Sequence, residues 1–310
     1  MPAMPAELPP DEAGCLPGCS EFDPPFELVE PVAVSAPVLF NSPHSGVTFP
    51  PSFLAQTPLS QADLCRSADL HVDRFLDGPL ALGMSVLRVN IPRSFLDLNR
   101  EAHELDPTMF AGRLPPPVNS GSLRVSSGYG TIPRLVAEGV AIYRRPLPVA
   151  EALRRIDCYY RPYHRLLATH LARLRQAFGS AILIDCHSMP SHSGGHALAD
   201  IVLGNRNGRS CSPELMRLAF HWFESLGLSV ACNTPYAGGF ITEHYGKPGL
   251  GQHALQIEVH RALYMDEKSY VPHEGLARLA DAMTGFAARL VRSEETRVGK
   301  ECRSRWSPYH

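Results

Sequence analysis

Residues 181–189, AILIDCHSM, decide the fold of this chain. The first four residues are apolar, which is typical of a strand buried on both faces of a parallel sheet. Asp185, Cys186, His187 and Ser188 follow at once, and such groups bind metals or transfer protons. Ligands bind at the carboxyl ends of strands in open α/β sheets, so the stretch predicts a functional site. A lone histidine is more often structural, and only its partners elsewhere in the chain favour a role for His187.

The composition is that of an ordinary globular protein and narrows its partners. The chain has 310 residues, is 44% hydrophobic and carries a formal net charge of -2, which permits a sizeable α/β core. Arginines are scattered rather than clustered, which argues against nucleic acid as a partner. Without a long apolar run or a signal peptide, we expect no membrane partner and a cytoplasmic location. The eight dispersed cysteines predict reduced buried thiols rather than a disulfide framework.

Strand and helix patterns alternate along the chain. Apolar and β-branched runs predict strands at 38–40, 85–90, 181–184, 200–204, 229–233 and 254–259. Helical periodicity predicts helices at 61–76, 148–178, 212–226 and 273–291, the second of them broken by Pro162. This alternation predicts an α/β fold with a mixed, mostly parallel central sheet flanked by helices.

The chain divides into three parts. Residues 1–30 are rich in Pro and acidic residues and lack periodicity, which predicts a mobile or loosely docked arm. Residues 31–291 form a single α/β domain, in which the Pro- and Gly-rich excursion 103–148 is typical of a binding loop or lid. Residues 292–310 resemble the translation of a common sequencing adaptor, so we expect this tail to be non-native.

A catalytic zinc site needs about three protein ligands, and the sequence offers candidates at several strand ends. His44 follows the strand at 38–40, and His187 ends the central strand. A carboxylate from the predicted helix 61–76 would complete the set. Asp73 is the preferred ligand and Asp69 the alternate, although Asp69 is also a candidate helix cap and Asp73 a candidate surface ion-pair partner.

Candidates for catalysis and substrate binding lie in two further segments. Glu258 stands in an apolar strand, where burial would raise its pKa toward that of a general base; the alternative is the solvated face of an edge strand. Asn99 and Arg100 end an apolar segment, and Arg93 lies close by. Guanidinium groups match carboxylates, so these residues predict a carboxylate-binding site, although Arg100 alone would more often pair with a neighbour such as Asp97.

Seven segments together resemble the N-formylglutamate amidohydrolase family. In chain order they are FNSPHSG (40–46), DLHVDRF (69–75), FLDLNR (95–100), LIDCHSMP (183–190), ADIVLGNRNG (199–208), NTPYAGGFITEHYG (233–246) and LQIEVHRALYMDE (255–267). The resemblance implies a phosphorylase/hydrolase-like fold related to zinc carboxypeptidases and aspartoacylases. It also implies hydrolysis of N-formyl-L-glutamate to formate and L-glutamate, late in histidine breakdown.

The same resemblance implies roles for the candidate residues. Asn99 and Arg100 would hold the substrate, and Glu258 would act as the base. Val47 stands where the HxxE zinc motif of carboxypeptidases has Glu, so the carboxylate ligand of a zinc ion, or of another divalent metal, comes from elsewhere. The alternatives are a zinc amidohydrolase for another N-acyl amino acid, a small carboxypeptidase, and a binding protein that keeps the scaffold without catalysis.

Overall fold

A seven-stranded mixed sheet forms the centre of the molecule. The computed structural model describes the backbone of residues 19–305 and the side chains of residues 19–293. The strands are β1 Phe26–Val29, β2 Val38–Ser42, β3 Ser85–Val89, β4 Ala181–Met189, β5 Ile201–Gly204, β6 Val230–Cys232 and β7 Gln252–His260. Their order across the sheet is β1-β3-β2-β4-β7-β5-β6.

Most neighbouring strands in the sheet run parallel. The pairs β3–β2, β2–β4, β4–β7 and β5–β6 are parallel, whereas β1–β3 and β7–β5 are antiparallel. The prediction of an α/β fold with a mixed, mostly parallel sheet is therefore confirmed. The fully buried β4 lies at the centre of the sheet, between β2 and β7.

Helices cover both faces of this sheet. They are α1 Pro51–Leu54, α2 Gln61–Leu64, α3 Asp77–Ala81, α4 Leu123–Ser126, α5 Val149–Arg155, α6 Arg161–Phe178, α7 Pro213–Ser225, α8 Phe240–Tyr245 and α9 Gly275–Arg305. On one face, Leu167 and Leu171 of α6 share a core with Leu183 of β4. On the other, Phe223 of α7 and Phe286 of α9 share a second core with alternate residues of β4. No described helix is long and apolar enough to cross a membrane.

Shorter elements complete the described chain. The 3₁₀ turns are Cys65–Ser67, Val72–Leu76, Pro107–Met109, Pro248–Leu250 and Arg261–Leu263, and a π-helical turn, Ile156–Tyr160, joins α5 to α6. Two-stranded ribbons pair Phe110–Ala111 with Leu147–Pro148, Leu135–Ala137 with Val140–Ala141, and His192–Ser193 with His196–Ala197. The predicted helix 148–178 is thus interrupted just before Pro162, which lies in the first turn of α6, where a missing N–H is tolerated.

The predicted mobile arm is wrong for residues 19–30. β1 pairs with β3, and Phe22 is buried with its ring 5.3 Å from that of Phe95. Burial of this aromatic side chain outweighs the polar and Pro-rich composition around it. Cys19 is also bonded to Cys158, 139 residues away, so the prediction of reduced thiols is wrong for this pair. Residues 1–18 of the predicted arm lie outside the described residues.

The last helix continues past the predicted end of the domain. α9 runs from Gly275 to Arg305, whereas the periodicity predicts an end at 291. Residues 306–310 lie outside the described residues. The adaptor origin of residues 292–310 stays a prediction.

Candidate active site

Two adjacent strands place four polar side chains on one face of the sheet. Because side chains alternate along a strand, Asp185 and His187 lie on the same face of β4, away from the core shared with α7 and α9. In the parallel register, Gln256 and Glu258 of β7 are the partners of Asp185 and His187. All four side chains are buried, and His187 and Glu258 lie near the carboxyl ends of their strands.

A tight turn after β2 brings His44 to the same place. His44 is 1% exposed, and its ring centroid lies 4.9 Å from that of His187. Gly46 allows this turn because a Cβ atom there would lie 2.4 Å from the backbone of Asn90 and Ile91. The expected proximity of the two histidines, one at each of two neighbouring strands, is therefore present in the structure.

The carboxylate beside the two histidines belongs to Asp69. The predicted helix 61–76 is wrong: α2 ends at Leu64, and after a 3₁₀ turn the backbone becomes extended at Ala68 and left-handed at His71. The backbone N–H of Asp69 donates to the carbonyl oxygen of His44 at 3.0 Å, which fixes the aspartate against the histidine turn. Because the helix ends early, the side chain of Asp69 lies beside the two histidines.

Asp73 lies outside this group, which corrects the preference for Asp73 over the alternate Asp69. Asp73 belongs to the 3₁₀ turn Val72–Leu76, which follows the left-handed residue His71. Asp69 and Asp73 therefore do not lie on one continuous helix. Burial raises the pKa of Asp73, and the nearby charges that oppose this shift belong to Arg88 and His71. The predicted helix 61–76, from which either carboxylate was expected, is absent from the folded chain.

His44, Asp69 and His187 form a buried group whose ligand atoms all lie within 4.8 Å of one another. Asp69 Oδ2 is 3.3 Å from His44 Nδ1 and 3.0 Å from His187 Nδ1. The opposite ring nitrogens face other carboxylates: His44 Nε2 is 2.8 Å from Asp97 Oδ1, and His187 Nε2 is 2.9 Å from Asp185 Oδ2. Each imidazole therefore lies between two carboxylates.

This donor set fits a divalent cation. If each Nε2–H donates to its outer carboxylate, the lone pair of each Nδ1 faces Asp69 Oδ2, an arrangement that repels unless a positive charge lies between them. The buried His44 Nδ1 has no hydrogen-bond partner among the described residues. Two imidazoles and one carboxylate are also a donor set that catalytic zinc takes, and other divalent metals accept it as well.

The charges of the surrounding groups favour a cation at the same point. Burial alone would lower the pKa of His187, but the carboxylates of Asp185 and Asp69 raise it well above its usual value. Burial would likewise raise the pKa of Asp69, yet its contacts with His187 and His44 hold it well below the usual range. The site thus stabilises positive charge between an ionised carboxylate and two imidazoles.

Glu258 lies beside this group with the properties of a proton acceptor. Burial raises its pKa to about 7; the nearby charge of His187 opposes this shift, whereas that of Asp69 adds to it. Its Oε1 accepts a hydrogen bond from Gln256 Nε2 at 2.8 Å. Gln256 Oε1 in turn accepts from the N–H of Gly239, so the loop after β6 helps to orient the carboxyl group.

A cavity of about 730 Å³ opens over these residues. Six arginines line it but only three carboxylates, those of Asp69, Asp97 and Glu258, so its wall is cationic. One side of the cavity comes from the excursion 103–148, through residues between Leu123 and Val136. The charge and the size suit a small anionic ligand.

The three predicted substrate-binding residues all line this cavity, but two have their polar groups engaged within the protein. Asn99 Oδ1 accepts from the N–H of Ile241, and its Nδ2 is 3.3 Å from His187 Nε2. Arg100 donates through Nε and Nη1 to two backbone carbonyl oxygens, and its Nη2 is 3.4 Å from Asp97 Oδ2. Arg93 uses only Nε, which donates to Asp97 Oδ2 at 3.0 Å.

Sequence reasoning missed the residues that hold the candidate ligands. Asp97 and Asp185 lie in the FLDLNR and LIDCHSMP segments. Each stands two positions before a candidate site residue, Asn99 or His187, and this spacing is the sequence feature that could have revealed them. Ser188 Oγ donates to Asp69 Oδ1 at 2.9 Å, and Arg261 Nε donates to Ser188 Oγ at 3.0 Å. Nothing in the sequence pattern around Arg261 links it to Asp69, because the contact joins residues 192 positions apart.

Comparisons with known proteins show what this chain is similar to. The sequence profile of the N-formylglutamate amidohydrolase family matches residues 36–265. An N-formylglutamate deformylase of Pseudomonas aeruginosa is 33% identical over 83% of this chain and 92% of its own length, and one of Pseudomonas putida is 32% identical over 78% and 87%. The crystal structure of an N-formylglutamate amidohydrolase from Ralstonia eutropha JMP134 is similar with a TM-score of 0.83 and 34% identity, covering 88% of this chain and 99% of that one. A gene product of Agrobacterium tumefaciens shares the fold, with a TM-score of 0.63 and 20% identity over 87% and 96%.

Proposed function

The chain belongs to the N-formylglutamate amidohydrolase family and is an amidohydrolase, and we propose that it converts N-formyl-L-glutamate and water to formate and L-glutamate. The observation that carries the proposal is the buried group of His44, Asp69 and His187 beside Glu258, in a cavity lined by six arginines. By likeness to the family, the reaction belongs late in histidine breakdown. The predicted cytoplasmic location stays a prediction.

We propose His44, Asp69 and His187 as the ligands of a divalent metal, with zinc as the first choice. When bound, the metal would supply Lewis acidity, which increases the acidity of water and polarises the formyl carbonyl group. The protein's part is to fix the ligands. Asp97 and Asp185 hold the Nε2 atoms of the two histidines, so both Nδ1 atoms point toward Asp69.

Glu258 moves the proton in this proposal. Its carboxylate accepts a proton from the attacking water, whose oxygen forms a bond to the formyl carbon. The bond from the formyl carbon to nitrogen then breaks, and Glu258 passes the proton to the leaving amine. A pKa of about 7 suits both steps, because the group is close to equally ready to accept and to donate at neutral pH.

The cationic wall favours a substrate with two carboxylates. N-formylglutamate carries two negative charges, and the six arginines outnumber the three carboxylates in the cavity wall. The two terminal nitrogens of Arg93 have no partner among the residues with described side chains, and Arg93 lines the same cavity, so we propose it as a substrate-binding residue. Asn99 and Arg100 contribute by shaping the site, and direct contact of these two with substrate stays a prediction.

Formate release from N-formyl-L-glutamate by chelator-stripped protein, before and after addition of Zn²⁺, tests the proposal. We expect little formate before addition and turnover after it. N-acetyl- and N-succinyl-L-glutamate, assayed in parallel, test the alternative that another acyl group is the natural one. A metal-replete protein that is inert toward every N-acyl amino acid would instead support the binding-protein alternative.

A further inference from the structure

The excursion 103–148 brings one arginine, Arg124, to the cavity on the short helix α4. Ser122 caps this helix, its Oγ accepting from the N–H of Val125, and Val125 is buried. The end of α4 is tied to the candidate site by Tyr129, whose N–H donates to the carbonyl oxygen of Arg124 and whose own carbonyl oxygen accepts from Arg100 Nε. The position of Arg124 over the cavity is therefore fixed by the fold.

Three of the six cavity arginines are engaged by the protein, and a fourth, Arg66, is exposed. Arg100 has a partner at each of its three nitrogens. Arg261 donates to Ser188, to two backbone carbonyl oxygens and to Asp69. Arg206 pairs with Glu243 and donates to a backbone carbonyl oxygen. Arg66 has no ion-pair partner among the residues with described side chains, but it is exposed, so water satisfies its donors.

Two arginines keep donors for a ligand. Arg93 donates only through Nε, and Arg124 has neither a hydrogen-bond nor an ion-pair partner among the residues with described side chains. Their positions in the cavity differ. The pKa of Arg93 is shaped by burial and by the charges of Asp97, Asp69 and Glu258, which places Arg93 beside the reacting groups. Arg93 contacts Asp97, which itself contacts His44, whereas Arg124 is linked through Tyr129 to Arg100 on the excursion side of the cavity.

Several positive charges that line one cavity favour an anionic ligand there. Arg93 and Arg124 both help burial to lower the pKa of Arg100, and the carboxylate of Asp97 opposes them. Asp97 already accepts from His44 and Arg93, so it is not free to neutralise Arg124. A partly buried guanidinium without an acidic partner is the kind of group that a ligand carboxylate satisfies.

We propose, on the basis of the proposed function, that Arg124 binds the side-chain carboxylate of N-formylglutamate and so selects substrates with two carboxylates. The α-carboxylate then pairs with Arg93. This assignment follows the chemistry of the substrate, because the side-chain carboxylate lies two bonds farther from the formyl carbon than the α-carboxylate. Arg124 is accordingly a specificity-determining residue that the excursion adds to the sheet-borne site.

The test compares two substrates that differ in the side-chain carboxylate. We take the ratio of kcat/KM for N-formyl-L-glutamate to that for N-formyl-L-norvaline, which has the same backbone and an apolar side chain. Arg124→Ala should lower this ratio about 10- to 100-fold, the usual scale for one charge-assisted contact, mainly through KM for the formylglutamate. Arg113→Ala, an exposed arginine of the same excursion that does not line the cavity, should keep the wild-type ratio.

A binding measurement separates this inference from the proposed function. Calorimetry of the metal-loaded wild-type protein should show tighter binding of glutarate than of butyrate, and Arg124→Ala should abolish that preference whether or not N-formylglutamate is turned over. Arg124→Lys, which keeps the charge without the fork of donors, should restore part of it. An unchanged substrate ratio or an unchanged glutarate preference in Arg124→Ala, with a wild-type melting temperature, would overturn the assignment. If the wild-type protein did not hydrolyse N-formyl-L-glutamate but still preferred glutarate, only the proposed function would be overturned.

Discussion

Two histidines of the molecule, His187 and His164, have opposite surroundings. His187 lies on β4 between the carboxylates of Asp69 and Asp185, at 3.0 and 2.9 Å. His164 lies on α6 among aromatic rings, including that of Tyr160 at a centroid distance of 4.2 Å. The carboxylates around His187 raise its pKa, whereas burial lowers the pKa of His164 to about 3.

The comparison shows what distinguishes a candidate ligand from a structural histidine. Both nitrogens of His164 have neutral partners, the hydroxyl group of Tyr245 and the carbonyl oxygen of Leu98, each at 3.0 Å. One neutral imidazole satisfies this environment completely. Around His187 the two carboxylates favour positive charge, which the proposed metal ion would supply.

The largest effect is expected from removing the carboxylate of Asp69, which lies beside both His44 and His187. Asp69→Asn should lower turnover of N-formyl-L-glutamate by on the order of a thousandfold, because a misplaced or lost metal forfeits several kcal/mol of transition-state stabilisation. Asp73→Asn is the matched control, since the same change is made four residues away in a carboxyl group outside the candidate site. Steady-state kinetics with Zn²⁺ present measures both. Equal losses in the two variants would contradict the choice of Asp69.

A smaller loss of activity is expected when the proposed base, Glu258, is changed and the proposed metal ligands are left intact. Glu258→Gln should lower kcat by about a hundredfold or more, the usual scale for loss of general acid/base catalysis, while leaving the metal content unchanged. Glutamine keeps the shape of the side chain and its contact with Gln256 Nε2 through the amide oxygen. Single-turnover kinetics and metal analysis on the same preparation check this. Retained turnover would remove Glu258 from the mechanism.

A change at Asp185, whose carboxylate faces His187 Nε2, should weaken metal binding without abolishing it. Asp185→Asn removes the charge opposite His187 Nε2 while keeping an oxygen that can accept its hydrogen, so the affinity for Zn²⁺ should fall about 10- to 100-fold. Competition with a fluorescent chelator measures the change in Kd. Asn205→Asp, a substitution at a buried amide that does not line the cavity, should leave the Kd unchanged. Wild-type affinity in Asp185→Asn would show that this carboxylate does not orient His187.

The smallest effect belongs to His164 and concerns stability rather than activity. Its pKa is lowered in the folded chain from about 6.5 to about 3, so between these values the unfolded chain binds more protons at this group. Its contribution to the free energy of unfolding is therefore complete above about pH 6.5 and decreases as the pH falls, by up to about 1.4 kcal/mol per unit. Urea unfolding at several pH values should show a weaker decrease below pH 6.5 in His164→Gln. An unchanged slope would mean that His164 is not held neutral.

The sheet was predictable from the sequence because its strands are short apolar runs with clear ends. The runs starting at Val38, Ser85 and Ala181 all become strands, and Glu258 lies in a buried strand rather than on a solvated edge. Period-two alternation also places Asp185 and His187 on one face. In β4 the polar residues belong to the strand itself, which extends to Met189, whereas the apolar pattern predicts an end at 184.

The third candidate ligand was not predictable because it depends on where a helix stops. Ser60 caps α2 as a helical pattern requires, but the helix ends after one turn, and the left-handed backbone of His71 follows. The pairing of Asp69 with His44 through the backbone is a long-range contact, and such contacts override local periodicity. The same holds for β1, whose place at the sheet edge depends on pairing with β3 rather than on its own composition.

We propose that His44, Asp69 and His187 bind one divalent metal ion, and anomalous diffraction from crystals of zinc-loaded protein would locate it. We expect one strong peak at the zinc edge, about 2.0 to 2.2 Å from His44 Nδ1, His187 Nδ1 and an oxygen of Asp69. A peak at Asp73, or zinc-activated crystals without a peak between the two histidines, would contradict it.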